Sequence, residues 1–314
     1  MKSRKRSLER LVLPALVPLL ALALLAGCSS GSGTATSGVI TLTDDAGNTV
    51  TLDGPADRVV SLAPANTEII YALGGGDKLV GVTTYCDYPP AAKKKVKIGD
   101  FQTPNVERIA SVGAQVVFAT GGIQENITDS LEKLDIKVFV VDPRTIDRMF
   151  TDMESMGKIM GLEGEAKEQV EKLRERVAAV KEKVKAEGLA KKPTVFFEVF
   201  NQPLMTAGKG TLIDSMIKTT GGTNVGASAG TDFPQYSDEQ LITDNPDIFI
   251  AVKGSQSNPE DIAKRPGYSQ MKAVKDGRVF VVEDNLFVRP GPRLVQGLEQ
   301  LARMVQPEAF EEKD

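Results

Sequence analysis

The 314-residue sequence contains no histidine and no tryptophan, and it has only two cysteines. The lack of histidine excludes His-ligated zinc and haem sites and Ser-His-Asp hydrolysis, because each of these needs an imidazole. With Cys28 and Cys86 as the only thiols, no disulfide framework is expected. No catalytic residue is predicted, since a secreted enzyme without histidine would need a lysine or a carboxylate as its base.

The sequence also has few basic residues relative to acidic ones. The first 28 residues hold five of the 38 Lys and Arg and one of the 42 Asp and Glu, so the remainder carries a net charge of −8. An acidic chain repels phosphate backbones, and we therefore expect no nucleic-acid partner.

The N-terminus has the pattern of a bacterial lipoprotein signal. Four basic residues between Lys2 and Arg6 precede an apolar run, Leu11 to Leu25, that is shorter than the ~20 residues a membrane-spanning helix needs. The run ends in Leu-Ala-Gly-Cys, which predicts a lipoprotein signal peptide and lipobox over residues 1–28, with Cys28 kept as the lipid-bearing first residue of the mature chain. The alternative is an ordinary signal peptide with a chance cysteine. Residues 29–38 are small and polar and predict a flexible tether.

The remaining chain alternates strand-like and helix-like segments, which predicts two α/β lobes with mainly parallel sheets. We place the N-terminal lobe at residues 39–160, a linking helix at 161–188 and the C-terminal lobe at 189–314. The expected main strands are RVVSL, KLVGVT, QVVFAT and KVFVVD in the first lobe, and TVFFEVF, DIFIAV and RVFVVED in the second.

The linking segment is predicted as one long helix. It has no proline, and an apolar stripe recurs at spacings of three and four, at Val170, Leu173, Val177, Val180 and Val184. A coiled-coil dimer is the alternative, but the run spans only about three heptads. We therefore expect a strut that lies against both lobes of a monomer.

The two halves of the sequence each contain a copy of one short motif. NVERIASVGAQVVFAT in the first half matches SDEQLITDNPDIFIAV in the second, so Glu107 and Glu239 occupy equivalent helix starts. Two similar lobes joined by a stiff helix leave a cleft, and clefts between lobes commonly bind small ligands.

The stretch SLAPANTEIIYALGGG predicts another short helix. Asn66 or Thr67 can cap its start, which places Glu68 in the first turn, where the helix dipole favours an acid. On these grounds alone, Glu68 needs no role beyond a solvated first-turn acid.

Together, these pieces resemble a known family. SLAPANTEIIYALG, GVTTYCDYPP, GDFQTPNVERIASVGAQVVFAT, the central helix, DFPQYSDEQLI and RPGPR resemble, in order and spacing, the helical-backbone (class III) solute-binding lipoproteins of ABC importers. The likeness covers roughly residues 40–305 and is greatest to the cobalamin (vitamin B12)-binding members. It implies a helical backbone metal receptor-like fold.

The resemblance implies a permease-docking acid on each lobe. Carried over by motif, these are Glu68 in PANTE and Glu239 in SDEQL, and Glu68 is expected to be exposed on the rim. Glu107 is the rival for the first position, favoured by the internal symmetry. The implied partners are an ABC permease and ATPase complex, reached from the outer face of the membrane or from the periplasm.

The resemblance also implies a ligand site on loops that face the cleft. A corrinoid is a broad, mostly apolar ring edged with amides, so aromatic walls and a few polar groups suit it. For any one aromatic residue, packing in the core is the alternative. Arg289 could meet an anionic group of the ligand, and Arg293 is a weaker candidate. The predicted ligand-binding residues are Tyr85, Phe101, Phe200, Phe233, Asp284, Phe287 and Arg289.

The expected function is capture of cobalamin or a related corrinoid, without chemistry. No cofactor and no protein-bound metal are expected, because any metal would arrive inside the ligand. A ferric siderophore or haem is the alternative ligand, and Tyr85 could then ligate ferric iron.

Overall fold

The computed structural model describes residues 38–122, 124, 127–188, 192–255 and 258–311. The predicted signal segment, Cys28 and all of the tether except Gly38 lie outside these residues. Within the described ranges, no helix is both long and apolar enough to cross a membrane.

The N-terminal lobe holds a parallel sheet with an antiparallel hairpin beside it. The sheet order is β5-β4-β3-β6-β7, and every pair in it is parallel. The sequences of its strands are nearly continuous hydrophobic runs because helices cover the sheet. The strands are β1 (Ile40–Thr43) and β2 (Thr49–Leu52) in the hairpin, then β3 (Val59–Ser61), β4 (Leu79–Val82), β5 (Val96–Lys97), β6 (Val116–Ala119) and β7 (Lys137–Val140). The helices of this lobe are α1 (Pro64–Ala72), α2 (Val106–Ser111), α3 (Thr128–Glu132) and α4 (Ile146–Met160).

A long helix, α5 (Glu163–Glu187), connects the lobes. The predicted stripe is buried from Val170 to Val180, and Val184 is partly buried against the same core. Helix α5 contacts both lobes. On the side of the N-terminal lobe, the guanidinium carbon of Arg174 lies 4.8 Å from the ring centroid of Phe150 on α4. On the other side, Arg176 donates to both carboxylate oxygens of Glu299 at 2.8 and 2.7 Å.

The C-terminal lobe repeats the arrangement. Its sheet order is β10-β8-β11-β12, all parallel, with β9 antiparallel to β8. The strands are β8 (Thr194–Phe200), β9 (Met205–Thr206), β10 (Thr223–Asn224), β11 (Ile248–Val252) and β12 (Val279–Val282). The helices are α6 (Leu212–Thr219), α7 (Asp238–Asp244), α8 (Pro259–Lys264), α9 (Lys272–Lys275) and α10 (Leu294–Val305), and short 3₁₀ turns connect several elements. Glu299 lies on α10, so α5 is tied to this lobe. The predicted fold class, two α/β lobes with mainly parallel sheets and one long helix, is confirmed.

Helix α1 begins earlier than the sequence suggested. Pro64 occupies its first turn, and no side chain caps it. Proline suits this position because its backbone angle is that of a helix start and it has no N–H that needs an acceptor. The predicted cap is therefore wrong. Asn66 instead donates to the carbonyl of Ala119 at the end of β6, 3.0 Å away, and Glu68 falls in the second turn.

Candidate functional site

An open cleft runs between the lobes and contains two adjoining cavities. Their volumes are about 470 and about 530 Å³. Asp142, which follows β7, lines both cavities, as do Val288 and Pro290 from the loop before α10. Each lobe therefore forms one wall of the cleft. The wall residues follow the carboxyl ends of parallel strands, where α/β proteins commonly bind ligands.

The first cavity combines aromatic and amide groups. Tyr85 follows β4 and is 61% exposed, and the buried Cys86 beside it anchors the loop. Phe101 follows β5, and its carbonyl accepts a hydrogen bond of 2.8 Å from the amide of Gln124. Asn66 and Gln102 add neutral polar groups, and Asp100 and Arg289 add one charge of each sign.

The second cavity is more polar and carries an ion pair between the lobes. Arg144 of the N-terminal lobe lies 2.6 Å from the carboxylate of Asp232 of the C-terminal lobe. Phe233, which is 51% exposed, and Thr211, the cap of α6, line the same space. The structure thus brings Phe233 to the cleft, together with Tyr85, Phe101 and Arg289 in the first cavity.

The hairpin turn between β1 and β2 supports the cleft wall at the end of β7. The Asp44 carboxylate accepts from the N–H of Val140 at 3.1 Å, and the Asp45 carboxylate accepts from the N–H of Asp142 at 2.5 Å. Arg148 on α4 also donates to Asp45. These bonds fix the backbone of Asp142, which borders both cavities.

Behind this wall lies a buried acid, Asp152 on α4, with no exposed surface. The Nε of Arg148 is 3.1 Å from one of its oxygens, but its N–H points to Asp45, and neither oxygen of Asp152 accepts a hydrogen bond. Burial, followed by the charge of Asp45, raises the pKa of Asp152 to about 8. The carboxyl is therefore mainly protonated at neutral pH.

Glu68 is not on the rim, so the prediction of an exposed docking acid is wrong at this position. The residue is 4% exposed because α1 turns it toward the C-terminal lobe. Its carboxylate accepts two hydrogen bonds from Arg293, at 2.8 and 2.6 Å, and a longer one of 3.3 Å from Arg289. We call the ion pairs among Glu68, Asp87, Arg289 and Arg293 the inter-lobe clamp.

The inter-lobe clamp also occupies the guanidinium of Arg289 with hydrogen bonds. Its side chain is 18% exposed and donates to Asp87 at 2.8 Å as well as to Glu68. Burial opposes ionisation of Asp87, but the hydrogen bond and charge of Arg289 lower its pKa below the ordinary value. Arg293 completes the clamp by stacking 3.9 Å from the ring centroid of Tyr88. Arg289 therefore borders the first cavity with its guanidinium already bound.

Three further predicted site residues do not line either cavity. Phe287 is fully buried, with its ring centroid 6.0 Å from that of Phe197, so the prediction that it binds ligand is wrong. Asp284 accepts a hydrogen bond of 2.8 Å from the N–H of Gly254 and serves to join two loops. Phe200 is 44% exposed at the end of β8, outside both cavity linings.

The equivalent acids Glu107 and Glu239 are both exposed. Each is the second residue of a short helix, α2 or α7, that leads into a central strand. The caps are also equivalent: the side chains of Asn105 and Ser237 accept from the N–H three residues further on. Glu239 thus keeps the exposure that docking requires, and Glu107 rather than Glu68 matches it.

Sequence reasoning missed several lining residues. Asp142 and Arg144 could have been found because they directly follow the apolar run of β7, where parallel strands present ligand-binding groups. Asn66 was interpreted as a cap. No group of three or more Cys, Asp or Glu side chains that could hold a metal ion occurs among the residues the structure describes.

Two α/β lobes bridged by a long helix, with a lined cleft between them, are the architecture of a solute-binding protein. The model of a family described as "Periplasmic binding protein" matches residues 59–286. An uncharacterized ABC transporter substrate-binding lipoprotein of Bacillus subtilis, YvrC, is 34% identical over 307 residues, 94% of this chain and 96% of that protein. A vitamin B12-binding protein of Yersinia pestis is 32% identical over 251 residues, covering 80% and 86% of the two chains.

A solved structure shows the same fold. A possible iron-binding (periplasmic solute-binding) protein of Staphylococcus epidermidis matches with a TM-score of 0.70 and 32% identity, over 80% of this chain and 98% of that one. The chain belongs to the periplasmic binding protein family, and its general function is that of a substrate-binding protein of an ABC transporter.

Proposed function

We propose that this protein captures cobalamin or a related corrinoid in the cleft and delivers it to an ABC permease. The observation that carries the proposal is the first cavity, where Tyr85 and Phe101 stand beside the amides of Asn66 and Gln102. Aromatic faces suit the broad apolar ring of a corrinoid, and the polar groups suit its carboxamide edge.

The charges around the cleft favour the same ligand class. Asp45, Asp100, Asp142 and Asp232 line the two cavities, against Arg144 and Arg289. Carboxylates can accept hydrogen bonds from the N–H groups of ligand amides. This excess of carboxylates disfavours ligands that carry more than one negative charge, such as haem with its two propionates or a polyanionic ferric siderophore.

The relatives support different ligands. The Yersinia protein is named for vitamin B12, and the Staphylococcus structure is titled as a possible iron-binding protein. A ferric siderophore or haem is therefore the second candidate, and exposed Tyr85 is the group that could ligate ferric iron. The full chain is mixed separately with cyanocobalamin, haemin and a ferric siderophore, and visible absorption then detects which ligand co-elutes with the protein from a size-exclusion column. We expect the corrinoid alone to co-elute. Retention of an iron ligand instead would contradict the proposal.

Docking on the permease is assigned to Glu107 and Glu239. Their exposure, equivalent helix positions and placement on different lobes support a pair of contacts with cationic groups of the permease. The double variant Glu107→Ala, Glu239→Ala is expected to keep its corrinoid affinity and to lose transport in reconstituted vesicles. Loss of corrinoid affinity, or unimpaired transport, would refute the assignment.

Attachment to the membrane is proposed to occur through a lipid on Cys28. The signal pattern in the sequence and the lipoprotein name of the Bacillus relative support it. Cys28→Ser should release the protein from the membrane fraction of expressing cells, while retention of this variant in the membrane would contradict a lipid anchor.

A further inference from the structure

Two arginines line the cleft within the described ranges, and their surroundings differ. Arg289 belongs to the inter-lobe clamp, is 18% exposed and donates to two carboxylates. Arg144 is 53% exposed and lies beside one carboxylate, that of Asp232. Turning Arg289 toward a ligand would leave the buried carboxylate of Glu68 with fewer partners, which is costly. Arg144 has no such constraint.

The ion pair between Arg144 and Asp232 is easily replaced by an ion pair between Arg144 and a ligand group. Asp232 is 48% exposed, so water solvates both partners, and an ion pair of this kind contributes little net stability. A ligand group that takes the place of the aspartate therefore loses little from breaking the pair. The partners belong to different lobes and both line the second cavity, so the exchange would take place between the lobes.

The second cavity has further features that suit one acidic group. The first turn of α6 borders it through Thr211 and Leu212, and helix N-termini favour negative charge. Of the other two carboxylates in this lining, Asp45 is balanced by Arg148, and Asp142 is shared with the first cavity. Phe233 adds an apolar surface next to the ion pair.

We propose that Arg144 recognises an acidic group of the ligand, and that Asp232 is the counter-ion this group replaces. The proposal rests on the proposed corrinoid function and makes it more specific. Cobalamin carries one such group, the phosphodiester of its nucleotide loop, whereas a cobinamide lacks the loop and the phosphate. A guanidinium can donate two parallel N–H bonds to phosphate oxygens.

The test compares two ligands and four variants of the full chain in detergent. Cyanocobalamin and dicyanocobinamide are titrated by calorimetry against wild type, Arg144→Gln, Arg144→Lys, Asp232→Asn and the control Arg174→Gln. The control removes an equally charged, 45% exposed arginine on α5, outside both cavity linings. Thermal unfolding first establishes that each variant is folded.

Arg144→Gln is expected to weaken cobalamin binding about tenfold and to change cobinamide binding by less than about twofold. Arg144→Lys should recover part of the loss, because the charge remains without the planar pair of donors. Asp232→Asn should bind cobalamin at least as tightly as wild type, and Arg174→Gln should match wild type for both ligands.

Other outcomes overturn the proposal in distinguishable ways. An equal loss for both corrinoids in Arg144→Gln would mean that the residue only shapes the cleft, and no loss for cobalamin would mean that it does not contact the phosphate. Wild type that binds neither corrinoid would overturn the proposed function and this assignment together. Wild type that binds both, with Arg144→Gln unchanged, would overturn the assignment alone.

Discussion

At the scale of single residues, Glu68 stabilises the contact between the lobes. Its carboxylate is buried and accepts from Arg293 and Arg289, and the same Nη1 of Arg289 also donates to Asp87. Removing one member of a buried ion pair leaves its partners desolvated without compensation, which costs more than the pair itself contributes. Substitution of this residue therefore affects the whole protein.

Glu68→Gln is expected to reduce the free energy of unfolding by roughly 2–4 kcal/mol, because both arginines lose their shared counter-charge. Urea denaturation measures the change. The matched control is Glu168→Gln on α5, whose exposed pair with Lys172 at 2.6 Å should contribute little to stability. Similar small effects for both variants would show that the clamp does not stabilise the lobes.

Asp152 makes stability depend on pH. In the unfolded chain its carboxyl ionises near pH 4, but in the folded protein burial and Asp45 raise its pKa to about 8. Between these values the folded state holds a proton that the unfolded state has released. Its contribution to stability is therefore largest at low pH and is lost as pH rises toward 8.

Asp152→Asn removes this proton linkage and is expected to stabilise the protein above neutral pH, on the order of 5 kcal/mol near pH 8. The difference from wild type should shrink toward zero near pH 4. Urea denaturation between pH 4 and pH 8.5 measures it. Asp129→Asn, at an exposed position, serves as the control for replacing one aspartate by asparagine. A uniform destabilisation by Asp152→Asn at every pH would contradict the account.

At the scale of elements, the close approach of α4 and α5 determines how the strut meets the N-terminal lobe. Gly157 on α4 lies against Ala166 of α5, and a Cβ placed at Gly157 would be 2.4 Å from the Cβ of Ala166. The absence of a side chain is thus what allows the two helices to make contact here. Arg174, stacked over Phe150, extends the same contact about two turns further along the strut.

Gly157→Ala is expected to destabilise the protein by about 1–3 kcal/mol, since the clash outweighs the better helix propensity of alanine. Gly164→Ala, near the start of α5, meets no atom within 4 Å and should instead stabilise by about 0.4–1 kcal/mol. Thermal unfolding compares the two. A stabilising effect at Gly157 would mean that the helices are not in close contact.

At the scale of the whole molecule, the contacts of the strut limit how far the lobes can move. Helix α5 is bonded to the C-terminal lobe through Arg176 and Glu299 and lies on the N-terminal lobe through Arg174. The inter-lobe clamp adds a buried connection at the edge of the first cavity. Large hinge closure would have to break several of these contacts together.

Only modest closure is therefore expected when ligand binds. Small-angle scattering of the full chain with and without cyanocobalamin should show a change in radius of gyration below roughly 1 Å. Glu68→Gln, which weakens the clamp, should show a larger change. A strong compaction of the wild-type protein would contradict a stiff strut.

Much of this architecture could be predicted from sequence, because it depends on patterns along the chain. The β-branched runs predicted the strands, and the apolar stripe from Val170 to Val184 predicted the strut. The equivalence of Glu107 and Glu239 was visible as an internal repeat.

The predictions that depended on tertiary contacts were less successful. Glu68 pairs with Arg293 across 225 positions, a contact that no local pattern indicates. Phe287 and Phe233 both stand in polar loop sequences, yet packing against Phe197 buries the first and leaves the second exposed. The cap preferences of Asn66 and Thr67 predict a later start for α1, but Pro64 begins the helix without a side-chain cap.

Calorimetric titration of the full chain with cyanocobalamin, in wild type and in the double variant Tyr85→Ala, Phe233→Ala, tests the central claim most directly. We predict saturable binding to one site in wild type and an affinity at least about tenfold lower in the variant, because both exposed rings border the cleft. Absence of binding in wild type, or equal affinity in the two proteins, would contradict a corrinoid site between the lobes.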